Sequence, residues 1–438
     1  MAAGHSVNPA RWRVILDEAV ARVADRFARA EPRRTAAAFV EGLLSSVERK
    51  TCWSLAERAG HGDPQAMQRL LRTALWDADA VRDDVRAWLV EQLGHPEGVL
   101  ITDETGFLKK GLGSVGVQRQ YTGTAGRVEN AQVGVFLAYV SPLGRALIDR
   151  RLYLPETTWC ERHDRRAAAG VPDQVGFATK PALARQMIAA ALDDGVPVGW
   201  ATGDEVYGAD PGLRADLEQR GVGYVLAVGC DRRVTVNDGR TLVRVDELAD
   251  RIPTAEWQRH SCGPGAKGPR DYLWAWITTS LHGEHRWLLI RRNHSTGELA
   301  FYLCWSPKPV PLHTLVTVAG SRWSIEELFQ TGKGQVGLDH YQVRGWTGWH
   351  RFITLAMLAL AVLTVLAAAS AEQADSDPEI IALTVAEIRR LLNAFVLALP
   401  LPPAHTLHWS TWRRTSQARA RRSHYQRRLS HHASRQVK

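Results

Sequence analysis

Apolar residues recur at helical spacing through residues 11–94: Trp12, Ile15, Ala19, Val23 and Phe27, then Phe39, Leu43, Leu44 and Val47. The pattern predicts a helical N-terminal region. Inside it, TCWSLAERAGHGDPQAMQRLLRTALW (51–76) sets Ala56 four residues before Gly60, as in the first helix and turn of a helix-turn-helix. Asp63 is placed to cap a second helix with Pro64 at its first position. That helix would present Gln65, Gln68, Arg69 and Arg72 to DNA. The same stretch reads equally well as a plain helical hairpin.

From residue 96 the period changes. VLITDET (99–105) is a short apolar run ending in acids. QVGVFLAYVS (132–141) and RALIDRRLYLP (145–155) read as strands joined through Pro142-Leu143-Gly144. A helix is expected over 181–195, a strand-like run ending in acids over 198–208, a short helix over 211–219 and a strand over 223–229. Strands alternating with helices imply an α/β layer. DYLWAWITTS (271–280), HRWLLIRRNH (285–294) and ELAFYLCWSP (298–307) alternate apolar and polar residues, which predicts an antiparallel β unit set into that layer. Helices return at 311, with Arg322–Lys333, then 346–370, then a last one to about 398 after Ser376-Asp377-Pro378. Pro400, Pro402 and Pro403 precede a basic tail.

Composition sharpens this outline. Of 438 residues, 45% are apolar and 23% charged, a globular balance that excludes pervasive disorder and collagen-like repeats. The net charge of +9 is unevenly placed: residues 411–438 hold nine Lys/Arg and no acid, so the body is neutral. A basic tail on a neutral body suggests a polyanion, usually nucleic acid. Truncation after Ala404 is expected to flatten the salt dependence of DNA binding. The five cysteines form no C-x-x-C pair, which fits a reducing compartment without a zinc knuckle. Residues 352–371 are uncharged over the length of a membrane span, but seven of them are Ala, which favours a buried helix and no membrane partner. The N-terminus has no apolar core of signal-peptide type.

Three acids stand apart. Asp103 follows VLIT, Asp204 follows VGWATG, and Glu326 lies on a helix after the β unit. Acids at two strand ends and on a later helix can converge at one sheet edge, where they suit hard cations, above all Mg²⁺. Two such ions would activate a water or hydroxyl and stabilise the leaving oxygen of a phosphodiester. Each acid taken singly reads as a solvated loop carboxylate. On the helix, Arg322, Glu326 and Lys333 fall within about 40° of one face, so a carboxylate is flanked by two cations; the plain reading is an i,i+4 ion pair.

Here the sequence resembles the DDE transposases of bacterial insertion sequences, in the group with a Tyr-x2-Arg-x3-Glu-x6-Lys signature and the branch named after insertion sequence seven-oh-one. Arg322-x3-Glu326-x6-Lys333 has that spacing, although Ala319 stands at the Tyr position. DETGFLKKG (103–111), SVGVQRQYTGTAGRVENAQVGV (114–135) and GDEVYG (203–208) are also similar to that branch. The resemblance spans roughly residues 40–370 and implies an α/β, ribonuclease-H-like catalytic core carrying an antiparallel β insertion. A helical N-terminal domain and a helical, basic C-terminus would flank it. The divisions read as 1–95 helical and DNA-binding, 96–229 the first part of the core, 230–310 the insertion, 311–370 the second part with the catalytic helix, and 371–438 the C-terminal helix and tail. Asp103 would lie on the first strand, Asp204 on the fourth and Glu326 on the following helix. The implied activity is metal-dependent strand cleavage and strand transfer at the element's ends. Asp103, Asp204 and Glu326 would hold two Mg²⁺ ions, Mn²⁺ substituting, and Arg322 and Lys333 would contact phosphates. The implied partners are double-stranded DNA, both inverted-repeat ends and target, bound by a dimer in a bacterial, nucleoid-associated cytoplasmic setting.

Lys109 and Lys110, in a Gly-bounded loop after the first acid, read as phosphate contacts or as a solvated pair. Arg119, with Gln120, Tyr121 and Arg127, flanks TGTAGR, a polar stretch suited to lining DNA. Tyr207 reads as packing under the site. The Trp residues of the β unit read as core. Two rivals stay open on residues alone: a non-catalytic DNA-binding protein, and a ribonuclease-H-like nuclease without strand transfer.

Overall fold

The computed structural model describes residues 7–237, 239–265, 268–279, 285–374 and 382–436. Five helices lead: α1 (Pro9–Arg22), α2 (Ala30–Leu44), α3 (Cys52–Arg58), α4 (Gln65–Arg72) and α5 (Ala78–Leu93). Trp12, Ala19, Val23, Phe27, Phe39 and Leu43 are buried, as the spacing predicts; Ile15 is only half-buried, and Leu16 takes the inward position beside it. Thr51 and Ser54 form a capping box that starts α3. Asp63 caps from one residue further out than expected: its Oδ1 accepts from the Gln65 amide at 2.8 Å, and α4 starts after Pro64. Gln65, Gln68, Arg69 and Arg72 are all exposed on α4.

The main sheet holds β1 (Val99–Leu108), β2 (Gln118–Thr122), β3 (Arg127–Ser141), β4 (Gly144–Leu152), β5 (Trp200–Gly203) and β6 (Gly223–Val228). The expected β3–β4 hairpin turns at Pro142-Leu143. β2, absent from the sequence reading, runs beside the start of β3, so TGTAGR is a hairpin tip and not a loose stretch. β1 pairs antiparallel with β3 but parallel with β5, which pairs parallel with β6. The crossovers carry α6 (His163–Ala169) and α7 (Lys180–Asp193), then α8 (Glu205–Gly208) and α9 (Pro211–Gln219).

The β-rich stretch follows: β7 (Arg233–Val236), β8 (Thr241–Arg244), α10 (Val245–Asp250), β9 (Gln258–Gly265), β10 (Gly268–Thr278), β11 (Arg286–Arg292) and β12 (Leu299–Trp305). It is antiparallel, as the alternation predicts. It is not a sheet of its own, however, because β12 pairs with β6 and extends one ten-stranded sheet in the order β2-β3-β1-β5-β6-β12-β11-β10-β9, with β4 on β3. Among the described strands only β7 and β8 stand off it, packing with α10 in a small second core against Leu288, Ile290 and Phe301.

Helix α11 (Leu312–Ser321) and α12 (Trp323–Thr331) follow, then a π-helical turn, Gly332–Val336. The single helix expected over Arg322–Lys333 is thus broken at both ends. Helix α13 (Trp346–Ala374) is long and apolar enough to cross a membrane, with mean hydropathy 2.6 in an 18-residue window, but 83% of that window is buried within the protein. It packs on β4, α5 and α2. Beneath it α5 is pinned to β4 by Arg82 and Arg86 on the fully buried Asp149. Such a charge cannot lose its partners cheaply. Ser376-Asp377-Pro378 lies outside the described residues.

Helices α14 (Val385–Phe395) and α15 (Pro403–Gln436) close the chain. The base of α15 is anchored: Trp409 is buried and donates to the His61 carbonyl at 2.8 Å, and Arg413 pairs with Glu57. Truncation after Ala404 would therefore remove a packed anchor as well as charge. Ending the chain after Ser416 keeps the anchor and deletes seven Lys/Arg. That variant is expected to keep its melting temperature and to flatten the slope of log K against log salt for duplex DNA by a few units, at about 0.9 per phosphate contact. An unchanged slope would mean that the tail does not touch DNA.

Candidate active site at the ends of β1 and β5

The parallel register pairs Thr102 of β1 with Gly203 of β5. The next residue on each is an acid, so Asp103 and Asp204 lie side by side where the β1–β5 pairing stops; β5 ends there, but β1 runs on to Leu108, so Asp103 is mid-strand and not at a strand end as expected. In open α/β sheets the carboxyl ends of parallel strands are where ligands bind. Asp103 stays in β1, opposite Phe136 of β3, and its Oδ1 accepts from the Glu104 amide at 2.7 Å. Asp204 caps α8, accepting from the Val206 amide at 2.9 Å. Burial pushes the Asp103 carboxyl up to about 7; the charges of Asp204 and Glu104 add to this and Arg322 opposes it. Asp204 is raised as well, by burial and then by Glu104.

The third acid reaches this edge through a cation. Arg322, at the junction of α11 and α12, sets Nη1 3.9 Å from Asp103 Oδ2 and Nη2 3.1 Å from Glu326 Oε1. Glu327 turns away and pairs with Arg145 at the start of β4. Lys333 belongs to the π-helical turn, so 100°-per-residue counting does not extend to it. Its ammonium nevertheless meets the same strand, 2.8 Å from Thr105 Oγ1, 3.3 Å from the Gly106 carbonyl and 3.1 Å from Thr124 Oγ1. Asp103 and Thr105 share one face of β1. Arg322 and Lys333 thus lie along that face, and burial lowers the Lys333 pKa.

Glu104 points to the other face and was not singled out from sequence. Its Oε2 accepts from the Tyr207 hydroxyl at 2.7 Å, and Oε1 pairs with Lys180 at the start of α7. Tyr207 is fully buried, so packing beneath the acids is what the structure shows for it. The available signal was the acid doublet 103–104 followed by a tyrosine three residues after the second strand's acid.

The structure brings Asp103, Asp204, Arg322, Glu326 and Lys333 to one edge. It does not bring Lys109, Lys110 or Arg119 there. Lys109 lies beyond the end of β1 with Nζ 3.5 Å from the centre of the Tyr341 ring; Lys110 is exposed, and Arg119 is exposed on β2, across from Asn130. Ala319 is buried on α11.

Among the described residues no three His, Cys, Asp or Glu side chains enclose a single ion position. The donors at the edge are nevertheless all hard oxygens, and a guanidinium already stands between two of them. Both features fit an oxygen-liking divalent cation. Crowding of carboxylates without such a cation should also be visible in stability. The folded Asp103 pKa of about 7 lies above its unfolded value of about 3.9, so in metal-free protein the cost of its charge is complete above pH 7 and fades as pH falls from 7 towards 4. Asp103→Asn is therefore expected to raise the melting temperature in EDTA at pH 8 by a few degrees, with a smaller gain at pH 5. Equal melting temperatures at pH 8, or a gain that grows on acidification, would contradict this.

Residues 22–244, half of the chain, match the family model described as DDE superfamily endonuclease. The chain belongs to the DDE endonuclease superfamily. Residues 176–362 match a second model, Transposase DDE domain, so the two together cover Asp103, Asp204 and the helix bearing Glu326. The chain is 30% identical over 203 residues to a probable transposase for insertion sequence element IS701 from Microchaete diplosiphon, covering 44% of this chain and 48% of that protein. It thus spans about half the length of the curated relative that it matches. Over 92% of this chain and 84% of the other, the fold aligns with a piggyBac transposase synaptic complex with hairpin DNA at a TM-score of 0.47 and 11% identity, a level that identifies no shared site.

Proposed function

We propose that this chain is the transposase of an insertion sequence, cleaving DNA at the element's ends and joining the freed ends to target DNA. One observation carries the reading: the parallel pairing of β1 with β5 sets Asp103 beside Asp204, and Arg322 ties the Glu326 helix to the same edge. The sheet order β4-β3-β1-β5-β6, three antiparallel strands and then two parallel ones, supports a ribonuclease-H-like core. In this reading 1–95 is a DNA-binding head, 96–229 and 311–370 form the core, 230–310 is the insertion, and 371–438 is a basic C-terminal unit. Duplex DNA is the partner, engaged by a dimer.

Asp103 and Asp204 would hold Mg²⁺, two ions in all with Mn²⁺ able to substitute, and Glu326 would complete the set. The bound ions supply nucleophile activation and stabilisation of the leaving oxygen. Glu326 orients the attacking oxygen. Arg322, once released from Asp103, and Lys333, already on the Thr105 face, neutralise the phosphate under attack. In the first step a water oxygen attacks phosphorus and the 3′-oxygen leaves; in the second, that 3′-hydroxyl attacks a target phosphodiester, whose own 3′-oxygen leaves. Lys109, Lys110 and Arg119 serve DNA contacts away from the reacting phosphate.

The test is nicking and joining of duplexes taken from the DNA flanking the gene. Metal-dependent nicking followed by joining to a second duplex is expected. Binding with no cleavage in any divalent metal would leave a non-catalytic DNA-binding protein, and cleavage without joining would leave a nuclease.

A further inference from the structure

Two clefts meet along Tyr341–Arg344, in the segment that leads into α13. The first, of about 560 Å³, is lined by Gln68 and Arg72 of α4 and by Arg344 and Trp346. The second, of about 330 Å³, lies between Arg344 and the loop bearing Lys109 and Lys110. Tyr341 and Arg344 wall both. Five Lys/Arg line the two clefts and no Asp or Glu does, in a chain whose body is charge-balanced. The neighbouring large cleft shows the balanced pattern, with Asp77 and Asp79 beside Arg151 and Arg351.

One of the five is committed elsewhere: the buried Lys50 ammonium donates to the Gly42 and Ser45 carbonyls. The rest face the clefts. Arg72, Lys110 and Arg344 are exposed. Lys109 rests on the Tyr341 ring, and Asp339, outside the lining, is the acid whose charge reaches it.

We propose that the two clefts form one groove for the DNA backbone, running from α4 to the acid-bearing face of β1, with Arg72 and Arg344 as its phosphate clamps. Lys109 lies six residues beyond Asp103, about 20 Å along an extended strand. Cations recur over that distance: Arg322 on Asp103, then Lys333 on Thr105 and Gly106, then Lys109 on Tyr341. About 20 Å is roughly six base-pair rises of duplex. A phosphate held at the acids therefore places the flanking backbone, about half a turn away, at the cleft. Guanidinium groups grip phosphate oxygens in pairs, which suits Arg72 and Arg344 in the lining of one cleft. The groove also gives the exposed polar face of α4 a path to the catalytic edge. This inference rests on the reading of the chain as acting on DNA, but not on its metal chemistry.

The experiment is equilibrium binding of the full chain, in EDTA, to a fluorescent duplex taken from the flanking DNA and long enough to span acids and cleft, across a salt titration. Arg72→Ala and Arg344→Ala should each flatten the slope of log K against log salt by about 0.9, and the double variant by about 1.8. Arg72→Lys and Arg344→Lys keep the charge and should retain most of the slope. Arg220→Ala, which breaks an ion pair with Asp193 outside the groove, should leave it unchanged. Wild-type slope in the double variant, with an unchanged melting curve, overturns the groove. Should the double variant melt early, the two single variants decide, because an unchanged slope in both is equally fatal. Lost slope without cleavage by the wild type would overturn the transposase reading and leave the groove; intact cleavage with unaltered slope would do the reverse.

Discussion

Asp103→Asn and Asp204→Asn are each expected to bind end DNA as the wild type does and to cut it at least three orders of magnitude more slowly, roughly 4 kcal/mol of transition-state stabilisation. Asparagine keeps the shape of the side chain and removes the charge that would hold a divalent ion. At this edge the effect should be large because the two carboxylates are half-buried side by side, where burial and neighbouring carboxylates raise both pKa values and a divalent ion would relieve the repulsion. Mg²⁺ and Mn²⁺ should support cutting. Ca²⁺, with its larger and looser shell, should support binding without chemistry. Gel assays of nicking against binding make the separation. Full cutting by either variant, or by the wild type in EDTA, would remove the metal-dependent mechanism.

Glu326→Gln is expected to lower the cleavage rate by at least two orders of magnitude, roughly 2.7 kcal/mol, while Glu327→Gln stays within about tenfold. Adjacent helix residues point about 100° apart, so only one of them can face the acids. Arg322 joins Glu326 to Asp103, whereas Glu327 is engaged with Arg145. That second pair is 41% and 46% exposed, and ion pairs of that kind contribute about 0–1 kcal/mol. Single-turnover cleavage of the two variants side by side is the measurement. A larger loss from Glu327→Gln would reverse the assignment.

Much of the chain was legible before the structure, for local reasons. The 3.6-residue period of α1 and α2 and the two-residue period of β10 to β12 are properties of neighbouring residues. The β3–β4 hairpin announced itself through Pro142-Leu143-Gly144. Asp63 was recognisable as a cap, though helix ends shift by a residue with the local geometry. The π-helical turn at 332–336 was missed because nothing in its residues marks i→i+5 bonding apart from its glycines. β2 was missed because QRQYT buries little and pairs at an edge. Glu104 does not stand out because the second acid of a doublet does not show which side chains will meet it across the fold.

By itself the sequence determined the element types, the buried character of α13, the concentration of positive charge in the tail and the candidacy of Asp103, Asp204 and Glu326. All of these depend on residue type and on spacing over a few turns or strand repeats. Tertiary structure alone decided that β12 joins β6, that Trp409 anchors α15, that Glu104 is tied to Tyr207 and Lys180, and that Arg72 and Arg344 line one cleft. It also decided that Asp103 and Asp204, about a hundred residues apart, share one edge. The reason is physical: strand neighbours are joined by backbone hydrogen bonds, which every residue but proline can make, so partner choice leaves little mark on the side chains that a sequence records.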